Sequence, residues 1–367
     1  MSKNQMSMLP KIKITRTKHS RLAETDMNHL PFGRIFSDHM YIADYKNGEW
    51  GNFRIEPFGA LPLHPANMAL HYGQAIFEGM KASKNLDGQA MLFRPEMHAR
   101  RINASARRLS MPDFPEDLFI DAVRKLVALD SDWIPTSEGS ALYLRPFMIA
   151  TDEFIGVRPS QTYSFIIFTS PVGPYYAKPV RLWAEQEYVR AVNGGTGEAK
   201  AAGNYAGSLY PAKLAQERGF DQVMWMDAHE FKYIQEVGTM NIFFVIGDTI
   251  VTPSTDGAIL KGITRDSFLT ILRKKGYSVE ERPISIGEVV SAYNSGTLKE
   301  AFGAGTAAVV SHVAAIGYKD LVMELPAVET REIGEMLKAE INGLRDGTIE
   351  DTYGWTMPVN KLESLEV

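Results

Sequence analysis

The sequence predicts a two-domain chain of mixed helices and strands, on three observations. Its 367 residues exceed the usual ceiling for one hydrophobic core. Short strand-like apolar runs are interleaved with amphipathic helical patterns, as in α/β or α+β architectures. The run Ser170-Pro171-Val172-Gly173-Pro174-Tyr175-Tyr176 is dense in residues that break both patterns, as a linker is. The expected division is a small N-terminal α/β domain over residues 1–170, a linker over 171–179 and a larger C-terminal domain over 180–367.

Composition excludes several classes of function. A net charge of -5 without long acidic or basic blocks gives no footprint for nucleic acid or an anionic membrane. No apolar run approaches the ~20 residues of a membrane span. The complete absence of cysteine removes disulfides, thiolate catalysis and cysteine-ligated metals together, and fits a reducing, cytoplasmic location. The histidines lack zinc-helix spacing, so no metal is expected. Lys11, Lys13, Arg16, Lys18 and Arg21 make the start basic, as in a transit peptide, but Ile12 and Ile14 alternate with polar residues like an edge strand.

In chain order, residues 34–55 read as strands, with Ile35, Met40, Ile42 and Tyr45 between polar residues and Asn47-Gly48 as a hairpin turn. Residues 57–65 form a loop, 67–77 a helix and 80–83 a strand. Asp87-Gly88 turns the chain into a strand at 90–93, which ends at Arg94. Pro95 then suits the first position of a helix over 96–109, with Met97, Ile102, Ala106 and Leu109 on one face. The arginines at 100, 101, 107 and 108 read as its solvated face. Arg94 stands at a strand end before a helix, where ligand-facing residues collect, and is either functional or structural. Residues 119–129 form a second helix. The strand SALYLRPFMI carries Arg145, a charge that a buried strand tolerates only with a partner. Tyr143 and Arg145 share one face, as a polar pocket wall or as solvated groups on an edge. A strand at 163–169 ends the first half.

The second half opens with a strand at 180–185 and passes Arg190 into GGTGEAKAAGNY, residues 194–205. Lys200 lies there among glycines and alanines that leave room for a planar partner. The stretch is either an amine site for Schiff-base chemistry or a glycine-rich surface turn. It is not a P-loop, because Ala199 precedes and Ala201 follows the lysine. A helix at 208–218 and strands at 221–226, 231–237, 240–246 and 249–252 follow. Residues 258–264 read as a strand-like run into a glycine, with Thr264 able to cap the next helix, whose first amides suit a phosphate. Strands at 277–284 and 300–310, a helix at 286–295 between them and a C-terminal helix marked by Ile333, Leu337, Ile341 and Leu344 complete the pattern.

Four features then require one explanation: a lysine among glycines, a glycine-threonine helix start, a second Gly-Thr turn at 305–306, and Glu236 at a strand end before Gly238. Pyridoxal 5′-phosphate accounts for all four. Its aldehyde condenses with an amine, its phosphate needs N–H and hydroxyl donors with a cation, and its ring nitrogen needs an acidic partner.

The motifs GGTGEAKAAGNYA, FKYIQEVGTMNIFF, LKGITRDSF and AFGAGTAAVV closely resemble those of the branched-chain amino acid aminotransferases of pyridoxal-phosphate fold type IV. FGRIFSDHM, LHYGQAIFEGMKA, LFRPEMHARRI and LYLRP in the first half do so too, in the family's order. The resemblance implies a two-domain fold like that of D-amino acid aminotransferase, with the cofactor on the C-terminal domain. It implies reversible transamination of leucine, isoleucine and valine with 2-oxoglutarate, giving branched-chain 2-oxo acids and glutamate. Lys200 then forms the Schiff base and moves the proton, Glu236 holds the pyridinium proton and Tyr205 approaches the ring hydroxyl. Arg94, the Ile263 and Thr264 amides and Thr306 bind phosphate, with Arg190 nearby. Phe32, Tyr72, Phe77, Tyr143, Tyr175 and Thr239 match the substrate pocket, Arg145 takes the glutamate side-chain carboxylate, and the Thr306-Ala307 turn holds the α-carboxylate. Tyr72 and the loop around Ile155 and Val157 reach toward a second subunit, which implies a homodimer. Mammalian members carry a CxxC pair where this chain has Ala308 and Ser311, so thiol-based control is not expected. The nearest alternatives share the fold: a D-amino acid aminotransferase, an aminodeoxychorismate lyase, or a silent pyridoxal-phosphate-binding scaffold. LYLRP, EVGTMN and the aromatic set favour the branched-chain reading, with Phe and Met as possible side substrates.

Overall fold

The computed structural model describes residues 9–173 and 178–362. They form two compact units, one of residues 9–173 with 352–362 and the other of residues 178–351.

The first unit contains β1 (Lys13–Ile14), β2 (His39–Lys46), β3 (Glu49–Pro57), α1 (Met68–Tyr72), β4 (Ala75–Phe77), β5 (Met80–Lys84), β6 (Ala90–Phe93), α2 (Pro95–Arg108), α3 (Glu116–Leu129), β7 (Ala141–Ala150) and β8 (Tyr163–Val172). Its sheet runs β1-β3-β2-β8-β7-β5-β6, with β4 also on β7. Every pairing among these is antiparallel except the short β1 against β3. α2 and α3 turn Ile102, Ala106, Phe119, Val123 and Leu126 inward. Phe114 stacks on Phe165 with ring centroids 4.0 Å apart. Each such buried side chain contributes about 1.5–3 kcal/mol relative to exposure.

The second unit contains β9 (Val180–Ala184), α4 (Ala202–Ala206), α5 (Leu209–Glu217), β10 (Gln222–Met226), β11 (Ile234–Val237), β12 (Asn241–Ile246), β13 (Thr249–Thr252), α6 (Ile263–Lys274), β14 (Ser278–Glu281), α7 (Ile286–Asn294), β15 (Leu298–Gly305), β16 (Val309–Tyr318), β17 (Leu321–Glu324) and α8 (Ile333–Asp346). The sheet order is β11-β10-β9-β16-β15-β12-β13-β14, with β17 on β16. It is mixed: β9 is parallel to β10 and β16, and β13 to β14. Phe243 of β12 stacks on Phe302 of β15 at 5.4 Å, and Phe268 of α6 meets both edge-on. The buried Glu300 of β15 accepts the amides of Glu332, Ile333 and Gly334 at 2.8–2.9 Å, and so caps the positive end of α8 from another element.

The structure departs from the sequence reading in four places. The helix expected over 67–77 stops at Tyr72, because Gly73 adopts a left-handed cap, and residues 75–77 become β4. The run 258–262 is not a strand; α6 begins at Ile263 with Gly262 as its cap, so Thr264 lies inside the first turn. The expected strand over 300–310 is two strands, β15 and β16, joined at residues 306–308. Finally, the tail assigned to the second domain returns to the first unit. There β18 (Thr356–Pro358) pairs antiparallel with β6 and satisfies its open edge.

Candidate active site

In the second unit, the lysine stretch is a built loop rather than a free turn. Asn204 Nδ2 donates to the carbonyls of Thr196 and Ala199 at 2.8 and 2.9 Å, and the Thr196 and Asn204 side-chain oxygens lie 2.6 Å apart. Gly197 is required by close approach, since a Cβ there would run into Ala191 and the Ala258 carbonyl. These contacts fix the loop, and Lys200 Nζ donates to Tyr205 Oη at 2.9 Å.

Glu236 leaves the end of β11 with 4% of its surface exposed. Asn241 Nδ2 donates to its Oε1 at 3.2 Å and to the Leu260 carbonyl at 2.9 Å, so one amide ties the carboxylate to the loop entering α6. Arg190, expected near a phosphate, places Nη2 2.5 Å from Glu236 Oε2. A buried carboxylate needs a partner, and this guanidinium supplies it. Arg190 Nε is buried without a hydrogen-bond partner among the described residues. Arg190, Tyr205, Glu236, Gly238 and Thr239 line one cleft.

The predicted residues Thr239, Thr306 and Ala307 lie on neighbouring turns at strand ends. Asn241 of β12 pairs with Ala304 of β15, so the turn carrying Thr239 and the turn carrying Thr306 and Ala307 emerge side by side. Within the second turn region Val309 has φ 63°, an outlier for a β-branched side chain. Such a conformation costs about 1–3 kcal/mol and persists only where its surroundings enforce it. The first turn of α6, with Ile263 and Thr264 both buried, has no side-chain cap.

This donor set fits pyridoxal 5′-phosphate. It offers an amine beside a phenol, a buried carboxylate for a ring nitrogen, an uncapped helix start for a phosphate, and a buried Arg190 N–H whose bond remains to be made.

The first unit carries Phe32, Tyr72, Phe77, Tyr143 and Arg145 of the predicted substrate residues. Arg145 Cζ lies 4.6 Å from the Phe77 ring centre and 5.4 Å from that of Tyr143, and Nη2 donates to Tyr143 Oη at 3.2 Å. Phe32 meets Tyr143 edge-on at 5.2 Å. Arg145 therefore stands on aromatic faces with its Nε buried and unpartnered among the described residues, so its charge is directed by ring contacts and one hydroxyl. Tyr72 lies on α1, where its hydroxyl donates to the Ile155 carbonyl. Tyr175 lies outside the described residues. Arg94 is 8% exposed at the cap of α2, its guanidinium 4.6 Å from the Trp355 ring centre.

Sequence reasoning missed the group beneath this wall. Glu78, fully buried, accepts Arg101 Nε at 2.7 Å and Nη2 at 2.8 Å, with His98 Nδ1 2.7 Å from Oε2. Arg101 is thus not part of a solvated face; its side chain is 11% exposed. Burial pushes the Glu78 carboxyl up, but Arg101 and His98 outweigh it and hold it well below the usual carboxylate range. Glu78 sits between Phe77 and Gly79, and a Cβ at Gly79 would run into the Tyr143 hydroxyl. The spacing of Glu78, His98 and Arg101 gave a signal only once α2 was known to face β4. Asn204 and Asn241 stand inside the GGTGEAKAAGNYA and FKYIQEVGTMNIFF motifs, but an amide that braces a loop has no distinctive pattern.

Comparison with known proteins places the chain in a family. Residues 75–316 match the model of the family described as amino-transferase class IV. The chain is 48% identical over 356 residues to "Branched-chain-amino-acid aminotransferase 2" of Bacillus subtilis, covering 96% of this chain and 97% of that one. The crystal structure of the Escherichia coli branched-chain amino acid aminotransferase aligns with a TM-score of 0.72 at 26% identity, over 87% of this chain and 99% of that one. The branched-chain aminotransferase of the thermophilic archaeon Thermoproteus uzoniensis, in a structure with norvaline, shares the fold, with a TM-score of 0.71 at 24% identity over 87% of this chain and 100% of that one. A further branched-chain amino acid aminotransferase of the same fold, aligned with a TM-score of 0.70 at 24% identity, is complexed with N-(5′-phosphopyridoxyl)-L-glutamate. Motifs, fold and relatives converge: the chain belongs to the class IV aminotransferases of fold type IV, among the branched-chain-amino-acid aminotransferases.

Proposed function

We propose that the chain transfers the amino group of L-leucine, L-isoleucine and L-valine to 2-oxoglutarate, reversibly, with Lys200 as its catalytic residue and pyridoxal 5′-phosphate as its cofactor. The observation that carries this reading is the meeting of Lys200, Tyr205 and the Glu236–Arg190 pair on one loop-and-strand-end framework. When bound, the cofactor supplies an aldehyde for amines and a ring that withdraws electrons from the substrate Cα.

The residues do the rest. Lys200 Nζ would hold the cofactor and carry the proton removed from the substrate Cα, and Tyr205 Oη, which accepts from that nitrogen, would orient it and serve the ring hydroxyl. Glu236 keeps a proton on the ring nitrogen, with Arg190 and Asn241 fixing its carboxylate. The Ile263 and Thr264 amides, Thr306 and Arg94 bind the phosphate. Phe32, Tyr72, Phe77, Tyr143, Tyr175 and Thr239 receive the aliphatic side chain. Arg145 takes the glutamate carboxylate, and the Thr306-Ala307 turn takes the α-carboxylate.

The active form is a homodimer, which its exposed apolar residues support: Tyr72, Phe154, Ile155 and Val157 are 41%, 43%, 68% and 86% exposed. Its partners are otherwise small molecules. No described helix is long and apolar enough to cross a membrane. The absence of cysteine suits a cytoplasmic location.

The test is amino transfer from a panel of L- and D-amino acids to 2-oxoglutarate by the wild type and Lys200→Ala. Turnover of L-leucine, L-isoleucine and L-valine that falls by at least about 10²-fold in the variant, the low end of what a positioned proton-transferring group contributes, is the expected result. Near-normal turnover in Lys200→Ala overturns the assignment, and a preference for D-donors overturns the substrate class.

A further inference from the structure

We infer that Trp355 is a positioning residue for Arg94, which makes the returning C-terminal tail part of the phosphate-binding apparatus. The inference rests on the reading that Arg94 binds the cofactor phosphate.

Three observations meet at this point. Arg94 has φ 50° and ψ 47°, a left-handed conformation that a non-glycine residue adopts only when held. It is held by the tail: Arg94 N donates to the Trp355 carbonyl at 2.7 Å, and the ladder continues as Thr356 against Phe93, Met357 against Leu92 and Pro358 against Met91. The same tail residue supplies the surface for the side chain, with Arg94 Cζ 4.6 Å from the Trp355 ring centre. The indole is itself braced, stacked on Tyr353 at 4.2 Å with planes 15° apart and edge-on to Phe93 at 5.9 Å.

A planar guanidinium held against an indole loses most of its rotational freedom. Binding an anion then carries little further ordering cost. A packing role alone accounts for Tyr353 and Phe93 around the ring. It does not account for one residue fixing both the backbone and the guanidinium of Arg94.

The experiment titrates the full-length apo protein with pyridoxal 5′-phosphate and with pyridoxal, which has the same aldehyde and ring but no phosphate. Wild type, Trp355→Leu, Trp355→Phe, Arg94→Ala and the Trp355→Leu/Arg94→Ala double variant are compared. Trp355→Leu is expected to weaken pyridoxal 5′-phosphate about tenfold and pyridoxal less than twofold, Trp355→Phe to recover most of the loss, and the double variant to bind no more weakly than Arg94→Ala. Equal losses for both ligands, or an unchanged phosphate ligand in Trp355→Leu while Arg94→Ala binds it weakly, overturn the inference. If Arg94→Ala binds both ligands like the wild type, the assignment of Arg94 to the phosphate fails first and the role of Trp355 falls with it. Should Trp355→Leu not fold, Trp355→Phe alone decides: a smaller loss confined to the phosphate ligand supports the inference, and no selective loss overturns it.

Discussion

Two buried arginine–glutamate pairs, one in each unit, use the same chemistry to different ends. In the first unit, Glu78 receives two N–H groups of Arg101, His98 and the Gly79 amide. In the second, Arg190 divides one Nη2 between Glu236 and the carbonyls of Ala258 and Gly197, and its Nε has no hydrogen-bond partner among the described residues. The first pair is complete and supports the wall that carries Phe77 and Tyr143. The second leaves one buried donor, Arg190 Nε, without a hydrogen-bond partner among the described residues, beside the carboxylate proposed to meet a ring nitrogen. If Glu236 serves the ring nitrogen as proposed, satisfaction rather than burial or charge separates the structural ion pair from the functional one.

The largest expected effect breaks the completed pair. Glu78→Ala leaves Arg101 and His98 facing an empty buried position and should cost about 3–5 kcal/mol in urea unfolding of the apo protein. A cost below about 1 kcal/mol contradicts the structural role. Because the folded carboxyl of Glu78 lies below its unfolded value, its stabilisation is fully present above the unfolded pKa of ~4.3 and disappears as pH falls toward the folded value. Acid unfolding below about pH 4.3 should therefore be less steep in Glu78→Gln than in the wild type.

The next effect concerns the second pair. Pyridoxal 5′-phosphate at about 100 times its dissociation constant should stabilise the wild type by about 2.7 kcal/mol. Thermal unfolding with and without the cofactor should show this increment kept in Glu78→Gln and mostly lost in Glu236→Ala. An increment equally intact in both removes the distinction between the pairs.

A smaller effect tests what the first pair supports. Arg145→Ala should lower kcat/KM about tenfold more for glutamate than for leucine, a difference of about 1.4 kcal/mol. Equal losses mean that Arg145 only packs against Phe77 and Tyr143.

Legibility in the sequence followed the range of each interaction. Lys200, Tyr205 and Glu236 stand in contiguous motifs whose chemistry is local, and most strands and helices announced themselves by periodicity. Arg145 was legible as a misplaced charge. Glu78 and Arg101 were not, because their meeting depends on how α2 packs over β4, and an arginine in a helix reads as solvated until its partner is known. The three residues of β18 were too short to carry a period, so the tail's return to β6 was invisible, and with it the contact between Trp355 and Arg94. The run 258–262 was misread because its apolar residues pack as a loop against the lysine stretch, where Gly197 closes on Ala258.

Amino transfer through Lys200 is read most directly from the absorbance spectrum of the purified protein with pyridoxal 5′-phosphate, before and after L-leucine and then after 2-oxoglutarate. Amino transfer through Lys200 predicts a band that shifts on adding L-leucine and returns with the oxoacid, and no such cycle in Lys200→Ala. A band that ignores L-leucine, or that cycles equally well without Lys200, contradicts it.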